Sequence, residues 1–332
     1  VKVGLYSITY LGVWYEGGAL GTAELFGKAR EMGYSGVELD GKRPHANPMD
    51  LDTKARAELK RVSLAEGIEI CGVAANNDFT SPVTEHVECQ LLMARELVRL
   101  AADLGAPVVR LFAAWPGVTV RADGLSAYDV ARRRWEEIWR DTTYREAWLR
   151  ARDTIAELAV IAEREGVTLA LQNHGPVIES YQDMLKMIRQ IGSPALRACL
   201  DAPSLPAHDA ATVRQAVLDV GPLQAHSHFG GEFRRNDDGR VEFNAHPWLW
   251  EPDVDSMAFV EALKQVGYDG YLCYEFCHLA VDPDGRGPRE RAYVDTQAAL
   301  ACEYMTDVLR AAGALHGEHD GGAEQTTQKE TR

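Results

Sequence analysis

The chain has 332 residues, 46% of them hydrophobic and 26% charged, with a formal net charge of −15. That composition can bury a large core, and so acidic a surface repels the phosphate backbone of nucleic acids. No apolar run approaches the roughly 20 residues that cross a bilayer, so neither nucleic acid nor membrane is an expected partner.

Lys2–Tyr10 reads as the first strand. A phrase then recurs: a polar helix, a glycine, an apolar strand. Glu31-Met-Gly33 leads into Gly36-Val-Glu-Leu-Asp40, and Ala65-Glu-Gly67 into Ile68–Val73. Asp103-Leu-Gly105 leads into Val108–Phe112, Arg164-Glu-Gly166 into Val167–Leu171, and Gln265-Val-Gly267 into Gly270–Glu275. The glycine suits the left-handed residue that ends a helix. A strand apolar on both faces suits a parallel sheet covered by helices. Leu196–Asp201 and Gln224–His228 complete eight strands, with helical patterns near 21–33, 51–66, 85–104, 143–165, 180–191, 210–219, 254–266 and 293–312. Eight βα units predict an α/β fold, a single-domain (β/α)8 TIM barrel over residues 1–313, followed by a polar tail at 314–332. An open doubly wound sheet is the runner-up. It would usually carry a GxGxxG or Walker loop, and the chain has neither.

Two connections are long. Residues 113–142 contain Trp115, Trp135, Trp139 and the basic run Arg132-Arg-Arg134, for which ordinary solvated surface is the default. Residues 229–253 contain a hairpin signal, Asn236-Asp-Asp-Gly239, and then His246-Pro-Trp-Leu-Trp250. Both follow strands, so both are expected over the C-terminal mouth. Trp115 and Trp248 either pack these loops or line a substrate pocket. Six cysteines form no CxxC pair and sit mostly in apolar patterns (Cys71, Cys199, Cys273, Cys302), as reduced core thiols do. Val1–Tyr6 enters a strand directly, with no basic region or cleavage site. Both features predict a cytoplasmic protein.

Four consecutive strands end on a residue able to bind a metal: Gln172, Asp201, His228 and Glu275. Active-site groups of a parallel barrel come from such ends. A lone Asp after a strand is more often a helix cap, and a lone barrel histidine is more often hydrogen-bonded structure. Four in succession are poorly explained as caps. The mixed oxygen and imidazole set suits one divalent ion, Mn²⁺ first, with Mg²⁺, Co²⁺ or Zn²⁺ as alternatives, and the absence of cysteine argues against structural zinc.

This order of strand-end residues resembles the xylose isomerase-like superfamily, the sugar-phosphate isomerase/epimerase barrels. His226-Ser-His-Phe-Gly-Gly-Glu-Phe-Arg-Arg235 is similar to the ketose 3-epimerase segment in which two histidines flank one residue and a Gly-Glu and an Arg follow. The resemblance implies that His228, Asp201 and Glu275 bind the metal. It also implies that His226 is a near neighbour and that Arg234 or Arg235 meets substrate oxygens. Two departures matter. The epimerases carry a proton-moving glutamate where this chain has Gln172, and tend to carry a histidine where it has Ser204. An amide offers a carbonyl oxygen but is no base near neutral pH. Two carboxylates instead of three also leave the divalent ion the stronger Lewis acid. The missing base is either His174, on the same face as Gln172 and one step nearer the mouth, or another group, with His45, His278 and Glu232 as weaker candidates.

Gln172-Asn-His174 in such a barrel resembles the catalytic larger subunit of bacterial C-glycoside deglycosidases. That likeness implies a metal-dependent lyase acting on a 3-oxo C-glycoside, with His174 and Glu275 in the chemistry. The C2 proton is abstracted and the sugar–aglycone C–C bond breaks by elimination. It also implies a small second subunit and a hetero-oligomer. The alternative is a ketose 3-epimerase or sugar isomerase working through an enediolate. Two further classes carry less weight: a multi-zinc endonuclease IV-like enzyme, opposed by the charge of −15, and a catalytically dead barrel used for binding.

Overall fold

A computed structural model describes residues 1–317 except 247, 248, 250, 251, 283, 285 and 286. Trp248 and most of the tail at 314–332 therefore lie outside the described residues. The strands are β1 (Lys2–Tyr6), β2 (Gly36–Asp40), β3 (Glu69–Ala74), β4 (Val108–Leu111), β5 (Thr119–Val120), β6 (Ser126–Ala127), β7 (Thr168–Gln172), β8 (Leu196–Cys199), β9 (Gln224–Phe229), β10 (Phe233–Arg235), β11 (Val241–Phe243) and β12 (Tyr271–Tyr274). The helices are α1 (Thr22–Met32), α2 (Thr53–Glu66), α3 (Thr84–Leu104), α4 (Asp129–Trp139), α5 (Tyr144–Glu165), α6 (Tyr181–Ile191), α7 (Ala210–Val220), α8 (Ser256–Gln265) and α9 (Arg291–Ala311).

Eight strands close a parallel barrel in the order β1-β12-β9-β8-β7-β4-β3-β2. Helices surround it, which is the predicted TIM barrel. The glycine stops work as read: Gly33 ends α1 at φ 93°, and its N–H bonds the carbonyls of Ala29 and Arg30. Gly36 has a different reason. A Cβ there would lie 2.6 Å from the Tyr271 ring and 3.0 Å from the Glu69 carbonyl, so β1, β2 and β12 close tightly only around a glycine. The hairpin signal at Asn236–Gly239 joins β10 to β11 in antiparallel pairing.

Two features depart from expectation. The first strand stops at Tyr6, and Ser7–Tyr10 form a 3-10 turn, because Ser7 Oγ accepts the Asp40 N–H at 2.7 Å and turns the chain across the mouth. The connection 113–142 holds α4, a helix with no buried residue. It hangs on its aromatic side chains: Trp135 donates to Asp78 Oδ2 at 3.1 Å and Trp139 to Thr80 Oγ1 at 3.2 Å.

The barrel interior is not wholly apolar. All five residues of β2 are buried, including Glu38 and Asp40. Alternation sends Val37 and Leu39 outward to the helices and Glu38 inward. Arg110 on β4 is buried too, and its Nε stands 3.7 Å from Glu38 Oε1. Alternate barrel strands share a layer, so β2 and β4 place this carboxylate and guanidinium at one level. Among the described residues no helix is long and apolar enough to cross a membrane.

Candidate active site

The C-terminal mouth is built on the ends of β7, β8, β9 and β12. Gln172 closes β7, with 3% exposure. Its Nε2 donates to Asp201 Oδ2 at 3.0 Å, and its Oε1 is buried without a partner. Asp201 follows β8 and precedes a 3-10 turn at Ala202–Ser204, yet its side chain caps nothing. Oδ2 accepts from Gln172 and from Ser204 Oγ (2.8 Å), while Oδ1 is buried without a partner. Asn173 clamps the Asp201 backbone, accepting its N–H at 2.6 Å and donating to its carbonyl at 3.1 Å. His228 lies on β9 with Nδ1 buried and unpartnered. Its ring stacks on Tyr6, with centroids 5.4 Å apart and planes at 14°.

Three of the four proposed ligands thus each keep one buried, unsatisfied lone-pair atom: Gln172 Oε1, Asp201 Oδ1 and His228 Nδ1. Buried polar atoms are nearly always paired, and an orphan costs about 1–3 kcal/mol. These orphans are an oxygen, an oxygen and a nitrogen on three neighbouring strand ends, a donor set that fits a hard or borderline divalent cation. Glu275, the fourth, follows β12. It is half-buried, and its N–H bonds the Phe229 carbonyl at 3.0 Å.

Beneath this level lies a polar network. Glu38 Oε2 meets His226 Nε2 at 3.0 Å and His228 Nε2 at 2.6 Å. Arg110 donates to the Tyr6 hydroxyl at 2.7 Å and to the Ala75 carbonyl at 3.2 Å. Burial alone would raise the Glu38 carboxyl. The two imidazoles, His228 foremost, outweigh it and hold the carboxyl well below the ordinary range. Ligating atoms of Glu38, His226 and Cys273 also lie within 4.8 Å of one another. Burial and the neighbouring Cys71 thiol, its Sγ 3.6 Å from Cys273 Sγ, push the Cys273 thiol up. A neutral thiol is a poor ligand, so the mouth is the better metal site.

One wall of the mouth is aromatic. Trp115 stacks on Phe112 at 5.2 Å, and the His174 ring stands edge-on to both at 5.1 Å. Tyr128 meets Trp115 at 6.0 Å and Trp14 at 5.7 Å. His174 Nδ1–H donates to the Gly175 carbonyl at 2.7 Å, leaving Nε2 as the free ring nitrogen. Burial lowers this imidazole, favouring the neutral form.

The structure brings Gln172, Asp201, His228, His174 and Trp115 to the mouth. Of the other substrate candidates among the described residues, His226, Arg234 and Arg235 make their contacts elsewhere. His226 is 1% exposed and commits Nε2 to Glu38 below His228, so it belongs to the buried network. Arg234 and Arg235 sit exposed on β10. Arg234 pairs with Glu242 at 2.8 Å, and Arg235 forks onto Glu303 with two 2.7 Å bonds. His45 has both ring nitrogens occupied, by Ser7 Oγ and the Leu20 carbonyl. Glu232 ties down His246, His278 and Tyr293. In the Arg132–Arg134 run, Arg133 and Arg134 form exposed helical pairs with Asp129 and Glu137. Sequence reasoning missed Glu38, Arg110, Tyr6 and Asn173. The signal for the first two was a charge inside strands otherwise apolar on both faces, which must find a partner.

The sequence pattern of the family described as "Xylose isomerase-like TIM barrel" matches residues 26–301. Comparison with curated proteins finds no match. Among solved structures, D-psicose 3-epimerase from Clostridium cellulolyticum H10 superposes with a TM-score of 0.67 at 16% identity, over 93% of this chain and 99% of that one. An L-ribulose 3-epimerase gives 0.67 at 18% identity, over 94% and 96%. The 3-keto-D-glucoside 4-epimerase of E. coli gives 0.61 at 19%, over 91% and 99%. At such identities the likeness is one of fold.

Proposed function

The chain belongs to the xylose isomerase-like TIM-barrel family, and from that premise we propose a metal-dependent enzyme of sugar chemistry. It moves a proton at the carbon beside a ketone, as an epimerase or isomerase working through an enediolate. One observation carries the reading: the buried, partnerless atoms of Gln172, Asp201 and His228 on neighbouring strand ends. With Glu275 these residues would hold one divalent cation, Mn²⁺ being the first to test. Bound there, the cation supplies Lewis-acid stabilisation of the charge that builds on the sugar oxygen as the proton leaves.

The chain's own groups divide the remaining work. The Gln172 amide takes no proton near neutral pH, so a shuttle between two carboxylates is not available. It orients Asp201 instead, through its 3.0 Å bond. His174, with Nδ1–H committed to Gly175, presents Nε2 as a base. For epimerisation, His174 Nε2 takes the proton from one face and a second group returns one to the other. For isomerisation, one group carries the proton between neighbouring carbons. Phe112 and Trp115 offer the sugar ring an apolar face and exclude water from it.

A second reading is kept by the amide at position 172 together with the aromatic wall. A lyase acting on a 3-oxo C-glycoside needs one base at C2, followed by elimination of the aglycone. An aromatic aglycone would suit Trp115, and a small second subunit and an oligomer belong to this reading. Proton NMR in D₂O on the metal-loaded protein separates the two. Deuterium entering a free ketose beside its carbonyl supports the epimerase or isomerase. Release of the aglycone from a 3-oxo C-glycoside, with ketoses unchanged, replaces it by the lyase. Neither reaction, with metal demonstrably bound, overturns both.

A further inference from the structure

We propose that Glu38 is a positioning residue that fixes the proton of His228 on Nε2 and so presents Nδ1 as the metal-binding nitrogen. The inference rests on the metal-site reading above and adds to it a specified tautomer and the residue that sets it.

The argument starts from one oxygen. Glu38 Oε2 lies 3.0 Å from His226 Nε2 and 2.6 Å from His228 Nε2. A carboxylate oxygen only accepts, so both nitrogens donate. A protonated Oε2 would donate to one ring and accept from the other, leaving one Nε2 without a proton. Arg110 Nε, 3.7 Å from the other carboxylate oxygen, also favours the anion. The far side of the His228 ring gives the same answer. Nδ1 is buried with no partner, so a proton there would be an unsatisfied N–H. The ring cannot turn over freely, because it lies face to face with Tyr6 at 5.4 Å and 14°. Carboxylates behind metal-binding histidines hold tautomer and ring angle in this way and raise the basicity of the ligand. Here that gain has a particular use: Gln172 stands where a carboxylate would add negative charge, and Glu38 returns part of it through the imidazole.

A rival arrangement uses the same residues. A soft cation held by Glu38, His226 and Cys273, whose ligating atoms lie within 4.8 Å of one another, would occupy the barrel floor and draw Glu38 away from His228.

The test is long-range ¹H–¹⁵N NMR of the full chain labelled in histidine, metal-free at neutral pH and then titrated with Zn²⁺. The expected metal-free spectrum has a ring proton on Nε2 of both His226 and His228, with His228 Nδ1 bare. Zn²⁺ should move His228 Nδ1 and leave His226 in place. Calorimetry on Glu38→Gln should show Zn²⁺ affinity reduced about 10–100-fold. A His228 proton on Nδ1 in the metal-free protein overturns the proposal. So does unchanged affinity in Glu38→Gln, or a Zn²⁺ response at His226 instead of His228. The metal-free spectrum needs no variant and no bound ion. A chain that binds no Zn²⁺ therefore refutes the metal reading on its own, while the tautomer still decides the role of Glu38.

Discussion

Gln172 donates from its amide nitrogen to Asp201 Oδ2 at 3.0 Å, while the carbonyl oxygen of the same amide stays buried and unpartnered. One side chain thus orients a neighbouring carboxylate and keeps a ligand atom free. Gln172→Glu removes the donor and sets two carboxylates against each other. The metal-free variant should lose about 1–3 kcal/mol, and added Mn²⁺ should restore more stability to it than to the wild type. Urea melts with and without Mn²⁺ measure both. On the epimerase reading, the new carboxylate leaves ketose turnover equal or raised. A fall in ketose turnover would contradict that reading.

The eight barrel strands were legible because a glycine ends or closely follows most of the helices that precede them and each strand is apolar on the face that meets helices. Gln172, Asp201 and His228 were legible because a polar residue at the end of such a strand has few other uses. Glu38 and Arg110 were not, although both stand in plain view in Gly36-Val-Glu-Leu-Asp40 and Val108-Val-Arg-Leu-Phe112. Alternating charge in a strand marks a polar face, and only closure of the barrel shows that this face points inward and that the two charges meet. Arg234 and Arg235, which the resemblance placed near substrate oxygens, instead make ion pairs on the surface. Arg234 faces Glu242 across the hairpin that the Asn236–Gly239 signal marks, whereas Arg235 meets Glu303 on α9, an approach that local sequence does not encode. Helix α4 was missed because it buries nothing.

Arg110 holds a chain of contacts in the barrel interior: Glu38 at 3.7 Å, the Tyr6 hydroxyl at 2.7 Å, and the Phe112 ring, 4.4 Å from its guanidinium carbon. Arg110→Met strands the Glu38 charge in the barrel interior. Breaking a buried pair from one side costs about 3–5 kcal/mol. Pairing Arg110→Met with Glu38→Gln should recover part of that loss, so the double variant is less destabilised than the two singles added together. Urea denaturation of the four proteins gives the coupling. Strict additivity would mean that the two charges do not compensate each other.

Helix α4 is attached through Trp135 and Trp139, whose rings lie 4.3 Å apart over Asp78 and Thr80. Burial raises the Asp78 carboxyl, which the Thr80 and Trp135 hydrogen bonds oppose. Trp135→Phe deletes one of those bonds while keeping most of the ring contact. Local opening of residues 117–142 should become easier by about 1 kcal/mol, read as faster amide exchange there. The global urea midpoint should stay in place, since α4 contributes no buried residue. A shifted midpoint with unchanged local exchange would show that the helix belongs to the core.

Glu232 anchors three segments of the mouth, accepting from His246 Nε2 at 2.9 Å, from His278 Nε2 at 3.1 Å, and from the Tyr293 hydroxyl. Burial pushes its carboxyl up, but the His278 and Tyr293 hydrogen bonds and the nearby imidazoles outweigh that and lower it. A carboxyl lowered on folding binds fewer protons in the folded than in the unfolded chain. Its contribution is therefore fully present above the ordinary glutamate value of about 4.3, and it is lost as pH falls through the lower folded value. Glu232→Gln should be less stable than wild type at pH 7, and the gap should close on acidification below about 4.3. Urea melts of both proteins from pH 7 to pH 3 follow it. A gap that stays constant or widens toward acid would mean that the charge on Glu232 is not what holds His246, His278 and Tyr293 together.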